Sequence, residues 1–434
     1  MSRTGNLPSG SVLASSPSAR RRLAPPGVLA VLGFLTALVV APSARSTEWS
    51  VIPSISVQEL YNDNILLTPV RGPAVTGTIL TPSLGLTAQQ EAWNLTGTAK
   101  WQNSRYSGQS GLNTNDQYLN LQSNYQTQRN AWGLTGTYAK ESILTSTAFV
   151  ADVGLVHVQT QRITRTISPT WTWTMSPNMN LQLGYQYNGV SYQEGTRVGL
   201  FNYSQNAVDV TLSDQISARN QVFGSTSYSY FKVPVLDLAG TNEKSNTSTA
   251  LIGLTRQFSS TFSGTLSAGE QYTHSSETQC NPFILQLFGQ CSATTAFSKN
   301  TGAVYNASLQ KQFERSTVNL TVGRSVSPSG AGTQVLIDSG SLGANWQFSQ
   351  RLLGLASADA YRIRAVGTSV TELNRNYYSA SAELRWEWTR NLKVSGLYEY
   401  IWVKYVSGSG VLPAKSNSVY MTLKYSWPNL AVSR

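Results

Sequence analysis

From Trp49 onward, apolar and polar side chains alternate with a period of two. In segment 378–388, every second residue from Tyr378 to Trp388 is Tyr, Ala, Leu or Trp, whereas the residues between them are Ser, Glu or Arg. The same division recurs in segments 181–187 and 419–427. Because successive side chains of a β-strand point to opposite faces of its sheet, each segment predicts a strand with one apolar and one polar face.

Short and long breaks separate these segments in strict alternation. The eight short breaks are Gln90-Glu91, Arg129-Asn130, Ser176-Pro177-Asn178, Ala218-Arg219-Asn220, Ser259-Ser260, Glu314-Arg315, Ser349-Gln350 and Arg390-Asn391. The nine long breaks, rich in Gly, Ser, Asn and Pro, lie near 64–75, 107–114, 147–160, 194–202, 234–244, 276–300, 329–334, 366–373 and 406–415. Hairpins with tight turns at one end and long loops at the other are typical of outer-membrane barrels. The breaks predict about 18 strands, with short periplasmic turns and longer extracellular loops.

A secreted β-sandwich or solenoid is the alternative, because its strands also bury one face. The segments here are about 10 to 15 residues long, which exceeds the usual soluble strand and suits a tilted membrane crossing. Aromatic residues such as Trp132, Trp171 and Trp427 cluster near segment ends, as in interfacial girdles. We therefore predict an all-β, transmembrane, antiparallel up-and-down barrel in the cell outer membrane, with membrane lipid as the partner of its apolar face.

The N-terminal stretch resembles an export signal. Three arginines, Arg20 to Arg22, precede an apolar stretch from Leu23 to Val40, and small residues around Ala44-Arg45-Ser46 suit signal-peptidase cleavage. A membrane anchor is the alternative, but the uninterrupted apolar core, Val28 to Val40, is short for the roughly 20 residues of a spanning helix. We predict a signal peptide over residues 1–46 and a single barrel domain over 47–434.

Composition and charge narrow the possible functions. Only 12% of the residues are charged, against roughly 25% in soluble domains, which argues against a cytosolic enzyme. Five of the 32 basic residues lie before residue 47, which leaves 27 basic against 21 acidic side chains, a net charge of +6. The remaining basic residues are scattered singly along the chain, so the sequence does not indicate a nucleic-acid-binding surface.

The two cysteines, Cys280 and Cys291, lie close together in a chain that has no other thiol. In an oxidising compartment this spacing predicts one disulfide that closes a small loop. The intervening residues include no His, Asp or Glu to complete a zinc site. The surrounding loop, 276–300, is apolar enough to fold into the barrel, although a self-packed extracellular loop is the simpler interpretation.

Chemistry-bearing motifs are sparse. The only histidines, His157 and His274, are far apart, and the chain has no GxSxG, P-loop, dinucleotide or calcium-loop motif. Asp63-Asn64 fits a turn at a strand end better than a metal site. We expect no enzymatic activity, no catalytic, cofactor-binding or metal-binding residues, and no cofactor.

The polar strand faces predict the lining of the lumen. Charged residues in these positions are Lys100, Glu383, Arg385, Glu387, Lys393, Glu399 and Lys424, among many Gln, Asn, Ser and Thr. A neutral polar wall with mixed charges suits hydrogen bonding to sugar hydroxyls, whereas rings of one charge select ions. The alternative is that these charges pair across strands and stiffen the wall.

Both ends of the predicted barrel carry a family resemblance. The opening WSVIPSISVQELYNDNILLTP (49–69) and the closing VYMTLKYSWP (419–428) resemble outer-membrane barrel proteins associated with exopolysaccharide production and PEP-CTERM sorting systems of Gram-negative bacteria. The resemblance implies an envelope role in a surface-polymer system and supplies no catalytic residues. One departure is that the chain continues past Trp427 with PNLAVSR, so the barrel-assembly signal is slightly internal or different.

These observations favour a porin-like conduit associated with exopolysaccharide production or export. The alternative is a non-conducting structural or docking barrel for surface polysaccharide or envelope partners, including polysaccharide-export proteins. No pattern in the sequence sets the oligomeric state or identifies the molecule that is transported.

Overall fold

In the part of the chain that the structure describes, the fold consists of nineteen antiparallel strands and two short 3-10 helices, Ser110–Leu112 and Gly195–Val198. The computed structural model describes residues 47–143, 160–236, 241–280, 293–366, 374–407 and 410–433. The predicted signal segment, residues 1–46, lies outside this range. The strands are β1 (Glu48–Asn62), β2 (Val75–Gln89), β3 (Trp93–Tyr106), β4 (Thr114–Gln126), β5 (Asn130–Ser142), β6 (Gln161–Thr174), β7 (Met179–Tyr192), β8 (Tyr203–Ser217), β9 (Asn220–Leu236), β10 (Thr241–Ser259), β11 (Phe262–Cys280), β12 (Ala293–Gln312), β13 (Ser316–Pro328), β14 (Gln334–Ser349), β15 (Leu352–Ala365), β16 (Arg375–Glu387), β17 (Leu392–Ser407), β18 (Gly410–Ser426) and β19 (Leu430–Ser433).

The first and last strands close the sheet. β1 pairs along its whole length with β2 on one side, and on the other side it pairs with β18 and then with β19. β18 and β19 therefore occupy one strand position in the wall, interrupted at residues 427–429. Counted in this way, the 19 strands fill 18 positions around the barrel, as the sequence predicts. Because the sheet is closed, the backbone N–H and C=O groups of its first and last strands are hydrogen-bonded to each other. A sheet in hydrocarbon requires this, because no water is available there.

The C-terminal segment after Trp427 completes the seam. The backbone N–H of Trp427 donates to the carbonyl oxygen of Pro53 at 3.0 Å. Beyond the break, Leu430 pairs with Val51 and Ser433 pairs with Glu48. The PNLAVSR extension is therefore part of the last strand position of the barrel, at the short-turn end.

All eight short turns lie where the sequence predicts them, but three long breaks are shorter than predicted. The predicted breaks 234–244, 276–300 and 406–415 contain strand residues of β9 to β12, β17 and β18, and β12 alone is 20 residues long. These segments are rich in Ser, Thr, Asn and Gly, which are typical of loops. They continue as strands because a neighbouring strand offers a ladder partner at each position, and strand preference depends on that context.

The outward face is apolar and carries aromatic rings at the short-turn end. Outward side chains such as Ile252 and Leu266 are 74% and 61% exposed, which is unfavourable in water and natural in lipid. Near the short turns, Trp132, Trp171 and Trp173 stack with ring centroids 5.6 and 6.5 Å apart. A closed sheet with an apolar band and aromatic girdles is the architecture of outer-membrane barrels. The protein is a transmembrane barrel of the outer membrane.

No helix in the described part of the chain is long and apolar enough to cross a membrane.

Candidate functional site

Contacts across the barrel identify the face that lines the lumen. Thr247 on β10 donates from Oγ1 to Oε1 of Gln334 on β14 at 3.0 Å, although three strands separate β10 from β14 along the wall. Side chains of strands that are not neighbours can meet only inside the closed sheet. Strand registers carry the inward position of Thr247 around the barrel, because directly paired residues share a face. On β14 they place Val335 and Ile337 inward, and Gln334, the first residue of that strand, turns its buried side chain to the same side against the alternation.

The seven charged residues predicted for the lumen all lie in the inward set of this register. Glu383, Arg385 and Glu387 are on β16; Lys393 and Glu399 are on β17; Lys424 is on β18; and Lys100 is on β3. Their role in transport stays a prediction.

Four of these seven residues form two ion pairs. Arg385 donates to both carboxylate oxygens of Glu383, two residues earlier on the same strand, at 3.1 Å. Lys393 pairs with Glu387 across the β16–β17 hairpin. These pairs match the interpretation in which lumen charges stiffen the wall.

The other lumen cations are not paired in this way. Lys424 lies opposite Lys393 in the register and is repelled by Lys100, Lys393 and Arg385. Within the described ranges, neither Lys100 nor Lys424 forms an ion pair. The lower lumen wall therefore has a basic patch, which we call the lumen lysine patch and define as Lys100, Lys393 and Lys424 with Arg385.

Glu399 lies above this patch on the inward face of β17. Tyr420 of the neighbouring strand lies on the same face, two residues beyond the register partner of Glu399, Ser418, and its hydroxyl interacts with the carboxylate.

At the long-loop end, the inside of the barrel contains apolar clusters among its polar side chains, whereas the sequence predicts a mostly polar wall. Loop residues fold inward and bury their side chains against the inward faces of the strands. Four clusters result: Leu200 with Tyr192, Phe231 and Val233; Leu112 with Leu60, Val75, Ile79 and Tyr106; Leu67 with Tyr377, Val403 and Ala414; and Ala331 with Val335, Ile337 and Ile363. We call these the mouth clusters.

Two of the inward loops are joined to each other. The backbone N–H of Phe201, in the β7–β8 loop, donates to the carbonyl oxygen of Gly330, in the β13–β14 loop, at 2.7 Å. Gly332 has a φ of +84°, and a Cβ there would lie 2.9 Å from the Phe201 ring. Glycine therefore permits both the turn and the close approach of the ring. The joined loops form a bridge inside the mouth, defined as residues 195–201 and 329–333.

Leu67 anchors a third inward loop at some conformational cost. Its φ is +49°, in the left-handed region that branched side chains rarely adopt. Its side chain is buried against Tyr377 and Val403. Packing of this kind is what holds a strained residue in place.

Sequence reasoning missed the inward loops, although a signal was present. Leu66-Leu67 and Leu200-Phe201 are apolar pairs inside polar loops, and exposed loops have no need of them. The loop proposed to fold inward, 276–300, has its central residues 281–292 outside the described range, as has the proposed partner Cys291 of the Cys280 disulfide.

Asp63 and Asn64 lie at the end of β1 and tie it to β18. Asn417 donates its backbone N–H and its side-chain amide to the two carboxylate oxygens of Asp63, each at 2.7 Å. Asn64 donates to the carbonyl oxygens of Thr68 and Lys415 at 2.8 and 3.0 Å. We call this network the seam clasp; it comprises Asn62, Asp63 and Asn64 with Ser416, Asn417 and Ser418.

The seam clasp predicts a pH dependence. Partial burial raises the pKa of Asp63, but the hydrogen bonds from Asn417 and the charge of Arg71 outweigh it, so the pKa lies below its ordinary value. The carboxylate therefore stabilises the fold at pH above its unfolded value of about 3.9, and this contribution is lost as the pH falls through the folded pKa. We expect Asp63→Asn to cost about 1–2 kcal/mol at pH 7 in urea unfolding from lipid vesicles, and markedly less at pH 3. An equal loss at both pH values would contradict this role of the charge.

Metal ligands and histidines do not form a site in the described residues. No group of three or more His, Cys, Asp or Glu side chains is close enough to hold a metal ion among them. His274 lies on the outward face beside Phe297, with ring centroids 6.0 Å apart. His157 lies outside the described range.

Comparison with known proteins gives a likeness of fold. No protein-family model matches the sequence, and no curated protein sequence matches it. The outer membrane protein opdK of Pseudomonas aeruginosa is 9% identical over 87% of this chain and 99% of its own, with a TM-score of 0.41. OccAB2 of Acinetobacter baumannii is 11% identical over 87% and 98%, with a TM-score of 0.43. The ferric-catecholate import receptor Fiu of E. coli is 10% identical over 86% and 81%, with a TM-score of 0.46.

Proposed function

We propose that the protein is a porin-like conduit for oligosaccharides, associated with exopolysaccharide production or export. The observation that carries this proposal is the lower lumen wall, where neutral hydrogen-bonding side chains surround the lumen lysine patch. Sugar hydroxyls can exchange hydrogen bonds with Ser, Thr, Asn and Gln at little net cost. The unpaired Lys100 and Lys424 add attraction for acidic sugars. The association with exopolysaccharide rests on the resemblance of residues 49–69 and 419–428.

The size of the barrel agrees with a conduit. Barrels of 16 to 18 strands are wide enough that side chains do not fill them. A saccharide chain would therefore meet the wall without displacing it, and the fixed ion pairs of Arg385 and Lys393 would keep that wall rigid.

A non-conducting docking barrel is the second candidate, and the bridge inside the mouth favours it. The Phe201–Gly330 hydrogen bond and the buried Leu200 hold two loops across the long-loop end. A barrel closed in this way would present its mouth as a surface for polysaccharide or an envelope partner.

Single-channel recording in planar bilayers separates the two candidates. For a conduit, we expect conductance in salt, and interruptions of the current by acidic oligosaccharides more than by neutral ones. Replacing Lys100 and Lys424 by Gln should remove most of that preference, because the unpaired cations supply it. Absence of conductance, together with co-purification of polysaccharide, would favour the docking barrel.

A bulky substitution tests whether the inward face limits the current. Ser56 lies opposite Lys424 and faces the lumen, whereas its neighbour Val57 faces outward. Ser56→Trp should lower conductance, and Val57→Trp, which adds a ring to the lipid side, should leave it unchanged.

A further inference from the structure

Basic residues gather on the outward face at the long-loop end of the barrel. Strand registers place eleven of them there: Arg105, Lys140, Arg165, Lys232, Lys244, Lys299, Arg324, Arg362, Arg364, Lys404 and Lys415. Outward acidic residues in the same half of the described strands are Glu59, Glu270 and Asp338. We call this set of basic residues the outer basic belt.

Aromatic residues fix the height of the belt. Lys140, Lys232 and Lys404 each follow an outward Tyr or Trp by two positions on the same strand. In three places an outward Tyr hydroxyl donates to an outward Asn of the next strand: Tyr185 to Asn206, Tyr228 to Asn246 and Tyr398 to Asn417. Tyrosine at this position marks the boundary between acyl chains and headgroups. The belt therefore lies at the level of the lipid headgroups on the long-loop side.

The belt contains cations placed against each other. Lys232 on β9 pairs directly with Lys244 on β10, and both side chains are exposed. One position further along the same face, Lys299 pairs with His274. No described ion pair includes any of these three lysines. Like charges directly opposite one another destabilise a sheet unless an anion lies between them.

A second group within the belt has more cations than its carboxylate can neutralise. Asp338 accepts from Arg324 and, at 2.7 Å, from Arg364, while Arg362 lies directly opposite Asp338 in the register. The Arg324 guanidinium also lies 5.5 Å from the centre of the Tyr305 ring. This arrangement fixes the guanidinium groups at the edge of the aromatic girdle.

The excess of positive charge is specific to this face. The inward faces of the same strands carry more acidic than basic side chains. The inward acids are Glu48, Asp116, Glu141, Asp209, Glu243, Glu277, Asp359, Glu383, Glu387 and Glu399, and the inward bases are Lys100, Arg162, Arg375, Arg385, Lys393 and Lys424. The belt is therefore a property of the lipid-facing surface and not of the overall charge.

We infer that the outer basic belt binds the phosphate groups of a phosphorylated glycolipid in the outer leaflet. Ammonium and guanidinium groups at headgroup height attract anionic lipid, and guanidinium groups bind phosphate oxygens in pairs. A phosphate between Lys232 and Lys244 would relieve their repulsion. A second copy of the chain is a poor occupant, because it would bring the same positive belt against this one.

The test compares two variants that lose the same number of cations. One carries Lys232→Gln, Lys244→Gln and Arg362→Gln in the belt. The control carries Arg315→Gln, Arg351→Gln and Arg390→Gln, three exposed arginines in the short turns at the opposite end. Barrels purified in mild detergent, with folding checked by heat-dependent gel mobility, are titrated with a diphosphoryl lipid A-type glycolipid, its dephosphorylated form, and phosphatidylglycerol micelles.

We expect the unmodified protein and the control to bind the diphosphoryl glycolipid with Kd values within about twofold of each other. The belt variant should bind it at least about tenfold more weakly, because each cation near an anionic surface contributes roughly a factor of five in affinity. The dephosphorylated form should bind all three proteins weakly. Equal binding by the belt variant, or equal binding of the dephosphorylated glycolipid, would overturn the inference. Phosphatidylglycerol binding as tight as the diphosphoryl glycolipid would also overturn it, because the belt would then recognise any anionic lipid. The conduit is tested separately by conductance, so either proposal can fail alone.

Discussion

Replacing Arg162 by Met is expected to lower the free energy of unfolding by about 3–5 kcal/mol. Arg162 faces the lumen and pairs with Glu141 at 3.1 Å, and both side chains are more than nine-tenths buried. Asp116, which is fully buried, lies beside them and accepts from the backbone N–H of Ser142 at 3.0 Å. Without the guanidinium, the buried Glu141 carboxylate would lose its cation, and a broken buried pair costs this much. Urea unfolding from lipid vesicles, followed by tryptophan fluorescence, measures the loss.

Arg165 provides the matched control for Arg162. It lies on the same strand but faces outward and is exposed. Arg165→Met should change stability by no more than about 0.5 kcal/mol. In the double variant Arg162→Met with Glu141→Gln, part of the loss should return, because the uncompensated Glu141 carboxylate is gone. A loss in Arg162→Met no larger than in Arg165→Met would show that the buried pair does not stabilise the wall.

Replacing Leu200 by Glu is expected to open the mouth and to raise single-channel conductance about twofold or more. Leu200 is 2% exposed and anchors the bridge in its mouth cluster. A carboxylate cannot stay in that apolar site, so the loop should leave it. The wall should remain folded, because its backbone ladder does not include the loop, and an 18-strand barrel keeps a wide interior without it.

Arg197→Ala is the control within the same loop. The Arg197 side chain is 78% exposed and pairs only with Glu194 at the surface, and such pairs contribute little to stability. Conductance should be unchanged in this variant. If Leu200→Glu also leaves the conductance unchanged while heat-dependent mobility shows a folded barrel, the bridge is not the narrowest part of the conduit.

The strands and their faces could be predicted because the signal is local. Within the eleven residues 378–388, apolar side chains such as Leu384 and Trp386 alternate with Glu383 and Arg385. This alternation alone predicts which face of the strand contacts lipid. Turn residues such as Ser176-Pro177-Asn178 mark the short connections in the same way. The three overestimated loops show the limit, since Ser and Thr segments of β11 and β12 become strands only because each finds the other as a partner.

Contacts between distant segments could not be predicted. The seam clasp joins Asp63 to Asn417, and the bridge joins Phe201 to Gly330; no spacing along the chain records either pairing. The lumen lysine patch brings Lys100 towards Lys424 only because the first and last strands meet. Their separation in sequence is large, and the closed sheet alone brings them together.

The charged residues show most clearly what the sequence determines and what only the tertiary structure decides. The sequence by itself determined a membrane-spanning barrel of about 18 strands, because period-two alternation and turn chemistry act over a few residues. It showed the basic residues only as scattered single positions. The tertiary structure decided that eleven of them share one outward belt, that apolar loop residues pack against the inside of the wall at the mouth, and that an ion pair is buried in the wall. The reason is geometric: strand register and barrel closure set which side chains become neighbours, and both are properties of the whole sheet.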